Sequence, residues 1–225
     1  MIIRLQSTVS TMIDAAALAA KGEPHGTAVV AEEQTGGIGR HGHSWHSEPG
    51  TGLYLSIILR IPNAMPILTL ALGLAVQRSI DDIAGVATDI RWPNDIMLNE
   101  KKLAGIMIQS AEQTLIAGVG VNVNQPEFPA DLQEIATSLR IETGRQHSKE
   151  DLLNRIVAES LRYAAIGKTE ILNQFERHST WVRGKSVEVD GKLTGVTQGL
   201  DENGFLLLAT PSGTERILAG GVKPV

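Results

Sequence analysis

Asp95 and Lys102 stand on either side of a turn signal, Asn99-Glu100. Two strands folded back at that turn set a carboxylate and an ammonium facing each other across a hairpin. Lys102 leads straight into Leu103-Ala104-Gly105, and an ammonium buried there needs an anion. The plain alternative is a solvated hairpin with an exposed pair, Lys101-Lys102. Trp92, one of 3 tryptophans, sits in the adjoining segment Arg91-Trp92-Pro93-Asn94-Asp95 and argues for a built site. A second group is Gly36-Gly37-Ile38-Gly39-Arg40-His41-Gly42-His43-Ser44-Trp45. Its glycines let backbone N–H groups approach an anion, and Arg40 adds a planar fork suited to phosphate or carboxylate. By count, Gly37, Gly39 and Gly42 match the dinucleotide fingerprint, but a strand follows where a helix is required, so that reading fails. A mobile surface loop is the other reading. Gly118 and Gly120 alternate in one strand, which leaves room either for a ligand or for a closely packed neighbouring backbone.

These groups need a scaffold. Residues 2–5 read as a short strand, and Ser7, Thr8 and Ser10 offer cap hydroxyls for an alanine-rich helix ending near Lys21-Gly22. Residues 27–31 are β-branched and strand-like, whereas 32–51 hold five glycines and no apolar period. A loop that long inside a compact unit is usually functional. Residues 52–60 (GLYLSIILR) predict a strand and 66–83 a helix with Pro66 near its first turn. Strands follow at 89–91, 96–98, 103–109 and 115–123, with turns at Asn99-Glu100 and Glu112-Gln113. Such short connections require antiparallel pairing and argue against a doubly wound fold. Ser148-Lys149-Glu150-Asp151 resembles a capping box and opens a helix with Leu152, Ile156 and Val157 at helical spacing. A further helix covers about 169–178. From 185 onward short alternating strands, joined at Asp190-Gly191, Asn203-Gly204 and Ser212-Gly213, predict a small barrel. The expected division is 1–181 and 182–225.

Composition removes several classes. Hydrophobic residues at 42% and charged residues at 20% exclude a disordered or fibrous chain. A net charge of −5 argues against DNA or RNA as principal partner. With no cysteine there is no disulfide, no thiolate metal site and no cysteine nucleophile. The N-terminus shows no signal-peptide pattern, and the apolar stretch 65–76, broken by Pro66, Thr69 and Gly73, is too short to cross a bilayer. The expectation is a cytoplasmic protein with no membrane partner.

In order along the chain stand Ser7-Thr8, the loop pattern GxGRxGxxW, a GLYLS strand, a WPND turn, KLAG and GxGxN. This set resembles the biotin–protein ligases, which attach biotin to carrier proteins. The resemblance implies an α/β fold: a mixed, largely antiparallel sheet with helices on one face, as in class II tRNA synthetases, followed by an SH3-like β-barrel. It implies that biotin and MgATP form biotinoyl-AMP and pyrophosphate, and that a lysine of a biotin carboxyl carrier protein then takes the biotinoyl group. In the first step a carboxylate approaches a crowded anionic phosphorus, so the need is positive charge and positioning. By resemblance Lys102 contacts the biotin carboxylate and α-phosphate, and Arg40 holds the adenylate. Ser7, Thr8, Gln34, Gly37, Gly39, Gly105, Gly118 and Gly120 line the pockets, and Trp45 packs over the intermediate. Asn94 and Asp95 orient Lys102, and Asn122 lies on the nucleotide side. In the transfer step the attacking lysine must lose a proton; Asp95 either accepts it or only holds Lys102.

Ile38, His41 and His43 stand where many members carry arginines, which leaves Arg40 alone in the loop, and Val9 replaces the usual asparagine after Ser-Thr. The 6 histidines form no ligand-spaced cluster with carboxylates, so Mg²⁺ is expected to arrive with ATP. The first motif begins at Ser7, and the expectation is an enzyme without an N-terminal helix-turn-helix, monomeric or homodimeric. The loop 36–50 is expected to order over the intermediate. The rival readings are a lipoate or other acyl-carrier ligase on the same fold, and a non-catalytic small-molecule-binding module.

Overall fold

The computed structural model describes residues 1–42, 44–61, 66–111 and 114–225. β1 (Ile2–Thr8) and β2 (Ala28–Gln34) are parallel, so the chain between them must cross over, and α1 (Thr11–Ala20) makes the crossing. Ser10 caps α1, its hydroxyl accepting from the Met12 N–H at 3.3 Å. β3 (Leu53–Leu59), β4 (Asp89–Arg91), β5 (Asp95–Leu98), β6 (Lys101–Ala111) and β7 (Thr114–Val121) pair antiparallel. Together they form a seven-stranded sheet ordered β1-β2-β3-β7-β6-β5-β4. The β5–β6 turn is Asn99-Glu100, with φ of 49° and 66°, the left-handed pair that matches the twist of a two-residue hairpin. The turn expected at Glu112-Gln113 lies outside the described residues.

Strand parity assigns the faces. Leu55, Ile57, Ala117 and Val119 point into the main core with α2 (Ile67–Ala84), the short α3 (Leu139–Thr143), α4 (Lys149–Ala164) and α5 (Lys168–His178). One residue out of step, Val29, Ile58 and Ile116 pack on Met12, Ala15 and Ala19 of α1. Helices therefore cover both faces, not the one face the resemblance implied. α1 buries only a narrow alanine-rich stripe, so the rest of its face stays open for a site.

β8 (Arg183–Val189), β9 (Leu193–Leu200), β10 (Leu206–Thr210), β11 (Gly213–Ile217) and β12 (Val222–Pro224) form a second, antiparallel sheet ordered β11-β10-β9-β8-β12. The expected barrel does not close. Among the described residues no ladder joins β11 to β12, because β12 is short and pairs only with β8. The two sheets share one hydrophobic cluster running from Ile90 and Trp92 through Phe175 and Trp181 to Val187 and Leu206. Trp92 Nε1 donates to the Gly204 carbonyl at 3.1 Å, tying the WPND turn to the C-terminal sheet. Among the described residues no helix is long and apolar enough to cross a membrane.

Candidate active site

One row of cross-strand neighbours crosses the open face: Ala31, Tyr54, Gly120, Gly105, Asp95 and Arg91. Gly120 and Gly105 face each other, so the middle of this row has no side chains. Trp45 lies on that bare patch. A Cβ at Gly120 would overlap its indole, and one at Gly105 would come 3.1 Å from its ring. Gly118 does the same for Met12, whose sulfur occupies the space a side chain would fill. The glycines here serve close approach rather than an unusual backbone conformation.

At the end of the bare row Asp95 accepts from two cations. Lys102 Nζ donates to Oδ1 at 2.7 Å and Arg91 Nη2 to Oδ2 at 2.8 Å. Burial pushes the Asp95 carboxyl up, but the charges and hydrogen bonds of Lys102 and Arg91 outweigh it and hold the group below the usual carboxylate range. Asn94 Nδ2 donates to the Ile106 carbonyl at 3.0 Å, and Asn94 Oδ1 accepts from Arg40 Nη1. Burial lowers the pKa of the Arg40 guanidinium, against the opposing pull of Asp95 and Asp190. A half-buried cation of this kind gains from an anionic ligand.

The loop carrying Arg40 and Trp45 is tied at several points. Trp45 N–H donates to the Gly37 carbonyl at 2.9 Å, and Ile38 bridges Ser44. Any Cβ at Gly37 would collide with the Trp45 carbonyl and the Ser47 hydroxyl. Gln34 joins loop to helix: Oε1 accepts from the Thr11 N–H at 2.9 Å and Nε2 donates to Ser47 Oγ at 3.1 Å. His43, a predicted loop arginine replacement, lies outside the described residues. The Lys102 ammonium is 5.4 Å from the Trp45 ring centroid, within cation–π range. The indole N–H is buried and finds no acceptor among the described residues.

Three clefts meet at this point. The first is floored by Gly105, Gly118 and Gly120 and walled by Ser10, Thr11, Met12, Gln34, Gly39 and Arg40. The second, beyond Trp45, has the apolar walls Phe128, Leu132 and Ile135 with Asn122 beside them. The third opens between Arg40, Arg91 and Asp95 on one side and Glu188, Asp190, Lys192 and Lys223 of the C-terminal sheet on the other. Lys102 and Trp45 line all three. One lysine therefore borders a glycine-floored cleft, an apolar cleft and a charged opening at once, an arrangement suited to joining two anions.

Two family models match the chain: the Biotin/lipoate A/B protein ligase family over residues 2–125 and the Biotin protein ligase C terminal domain over residues 184–222. The chain is 36% identical over 230 residues to the bifunctional ligase/repressor BirA of Bacillus subtilis, covering 95% of this chain and 71% of that protein. It is 32% identical over 231 residues to a biotin–[acetyl-CoA-carboxylase] ligase of Mycobacterium tuberculosis, covering 96% and 85%. Its fold superposes on the biotin protein ligase of Aquifex aeolicus in complex with biotin and ATP with a TM-score of 0.89, 31% identity and coverage of 100% and 99%. The chain belongs to the biotin protein ligase family.

In this member of the biotin protein ligases the predicted residues fall into four groups. Lys102, Arg40, Asn94, Trp45, Gln34, Gly39, Gly105, Gly118 and Gly120 meet at the first cleft, and Asp95 adjoins them. Asn122 faces the second cleft, and its amide also donates to the Thr137 carbonyl at 2.9 Å, which fixes the cleft wall. Gly37 lies behind the loop, where it lets the two arms approach. Ser7 and Thr8 stand apart from the cleft, Ser7 on Glu33 and Thr8 on Asp14. They sit there because β1 runs on to Thr8, paired with Gln34 of β2. Ser10 and Thr11 take the cleft position instead. A second Ser-Thr pair immediately before an apolar helical stretch was the signal for them. Arg91 joins the site through Asp95, and only its place before WPND hinted at it.

Proposed function

We propose that this chain activates biotin with MgATP to biotinoyl-AMP and passes the biotinoyl group to a lysine of a biotin carboxyl carrier domain. The single observation that carries the reading is Lys102, which lines the glycine-floored cleft, the apolar cleft and the charged opening together. Biotin would lie over the glycine floor, its polar head toward Thr11 and Gln34 on the β2–β3 side and its carboxylate toward Lys102. The nucleotide would take the apolar cleft past Trp45, with Asn122 at its wall. The biotin carboxylate oxygen attacks the α-phosphorus and pyrophosphate leaves; Lys102 and Arg40 offset the charge that gathers there. In the second step a neutral lysine amine attacks the carbonyl; the C–N bond forms as the C–O bond to the phosphate breaks, AMP departs as the anion, and the nitrogen gives its extra proton to solvent.

Asp95 serves this chemistry as a clamp rather than a base. Both of its oxygens hold cations and its pKa is held low, so it accepts a proton poorly near neutrality. Magnesium enters as part of MgATP. The division into a catalytic unit, 1–181, and a backing unit, 182–225, belongs to the same reading, as does a cytoplasmic setting where ATP and carrier are available.

Incubating the chain with biotin, ATP, Mg²⁺ and a carrier domain, then weighing the carrier, tests the proposal. A mass gain of one biotinoyl group is expected. A gain from lipoate instead, or no gain from either, overturns it in favour of the acyl-carrier or binding-module reading.

A further inference from the structure

Arg91 precedes the WPND turn and has no part in the chemistry above. Yet it is the direct partner of Asp95 across β4 and β5, and its guanidinium takes the carboxylate oxygen that Lys102 leaves free. A carboxylate paired with Lys102 alone would cancel that ammonium. Shared between two cations, the group keeps one positive charge in excess, facing the clefts. Asp95 also loses its freedom to rotate, because each oxygen has its own donor.

Arg91 is itself braced. Its guanidinium lies 5.6 Å from the centroid of the Trp181 ring, and the Lys185 ammonium lies 5.6 Å from the same ring. Trp181 is 8% exposed and belongs to the shared core. The residues before it are fastened to β4 alongside Arg91. Ser179 Oγ donates to the Ile90 carbonyl at 2.6 Å, and the Thr180 N–H and hydroxyl donate to the Asp89 carboxylate at 3.0 Å and 2.6 Å. The indole thus sits at the junction between the catalytic sheet and β8, and its face fixes where the guanidinium can lie.

We propose that Arg91 is a positioning residue for adenylate formation: braced on Trp181, it locks Asp95 and so sets both the place and the net charge of the Lys102 ammonium. This rests on the reading of Lys102 given above. Cation–π bracing is geometric, so a substitute must be cationic at 91 and aromatic at 181.

The test is steady-state pyrophosphate release by the full chain with biotin and MgATP. Arg91→Gln should lower kcat by about tenfold to a hundredfold, the size expected for losing one charged hydrogen bond at the reacting centre. KM for biotin should stay within about twofold, since no biotin contact is removed. Arg91→Lys should recover most of the rate. Trp181→Phe should stay near wild type and Trp181→Leu should fall in kcat. If Trp181→Leu fails to fold, the pair Arg91→Gln and Arg91→Lys decides. Added to Lys102→Ala, Arg91→Gln should cause no further loss. Unchanged kcat in Arg91→Gln, a rise in KM alone, or a loss that lysine does not rescue overturns the positioning role. Full activity in Lys102→Ala overturns instead the reading on which it rests.

Discussion

The two faces of the large sheet differ by one residue of register and by almost everything else. On one face Leu55, Ile57, Ala117 and Val119 are buried beneath α2 and its neighbours. On the other, at adjacent positions of the same strands, stand Tyr54, Ser56, Gly118 and Gly120 under α1 and the Trp45 loop. Successive side chains in a strand point to opposite faces, so a single stretch such as 116–121 writes both faces at once. The larger core sits on the first face, and the second carries a smaller cluster under α1 beside the cleft of the proposed site. The lesson is that glycine, usually a cost in a strand, is tolerated at Gly118 and Gly120 because the other face of β7 is fully packed.

Four predictions sharpen or break that contrast. The largest effect belongs to the open face: Lys102→Ala should slow pyrophosphate release by about a hundredfold to a thousandfold. Its thermal midpoint should barely move, because Lys102 is partly exposed; a collapse in stability would mean that the open face is structural after all. On the packed face, Ile57→Ala should cost about 2–5 kcal/mol in urea unfolding, the range for emptying a core site. Its kcat at a temperature where it is folded should match wild type, and a kcat loss there would erase the separation.

Tyr54 tests the open face by pH. Burial pushes its phenol up to about 12, and its hydroxyl donates to the Glu48 carbonyl at 3.0 Å. The unfolded phenol titrates near 10, so between the two values the folded state holds the proton more tightly. Stability should therefore fall as pH rises through that window, by about 2.5 kcal/mol, and Tyr54→Phe should lack this component. Equal alkaline slopes for both proteins would show that the phenol is not desolvated.

The smallest effect concerns Arg40, which holds Asn94 and has Asp95 nearby. Arg40→Gly should raise leakage of biotinoyl-AMP by about tenfold, the value of one charged contact, read as labelling of a bystander protein. Slower adenylation with unchanged bystander labelling would move Arg40 to the first step.

Where local chemistry dominates, elements were legible. The Asn99-Glu100 hairpin follows from turn geometry, and Ser148 caps α4 by accepting from the Asp151 N–H at 3.1 Å. The α3 helix and β12 are not legible: five and three residues show no period, and unlike the equally short β4 neither is flanked by a strand and turn pattern that frames it. The Ser7-Thr8 assignment slipped for a different reason. Whether β1 stops at Leu5 or runs to Thr8 depends on pairing with β2, which lies far along the chain. The closed barrel rested on turn spacing and on the family resemblance; spacing counts strands but does not say whether the two edge strands will pair, and among the described residues β11 and β12 do not.

By itself the sequence determined the inventory: one loop arginine, a lysine and an aspartate across a tight turn, glycines on alternate positions, and no cysteine. It also determined the motif order that points to biotin ligation. These are properties of residue type and of neighbours a few positions apart. Only the tertiary structure decided that Asp95 is shared by Lys102 and Arg91, that Ser10 and Thr11 rather than Ser7 and Thr8 wall the cleft, and that the C-terminal sheet forms one side of the opening. Each depends on register and packing between segments distant in the chain. Those are settled by burying one sheet face against α2 to α5 and the other against α1, a choice that no local pattern contains.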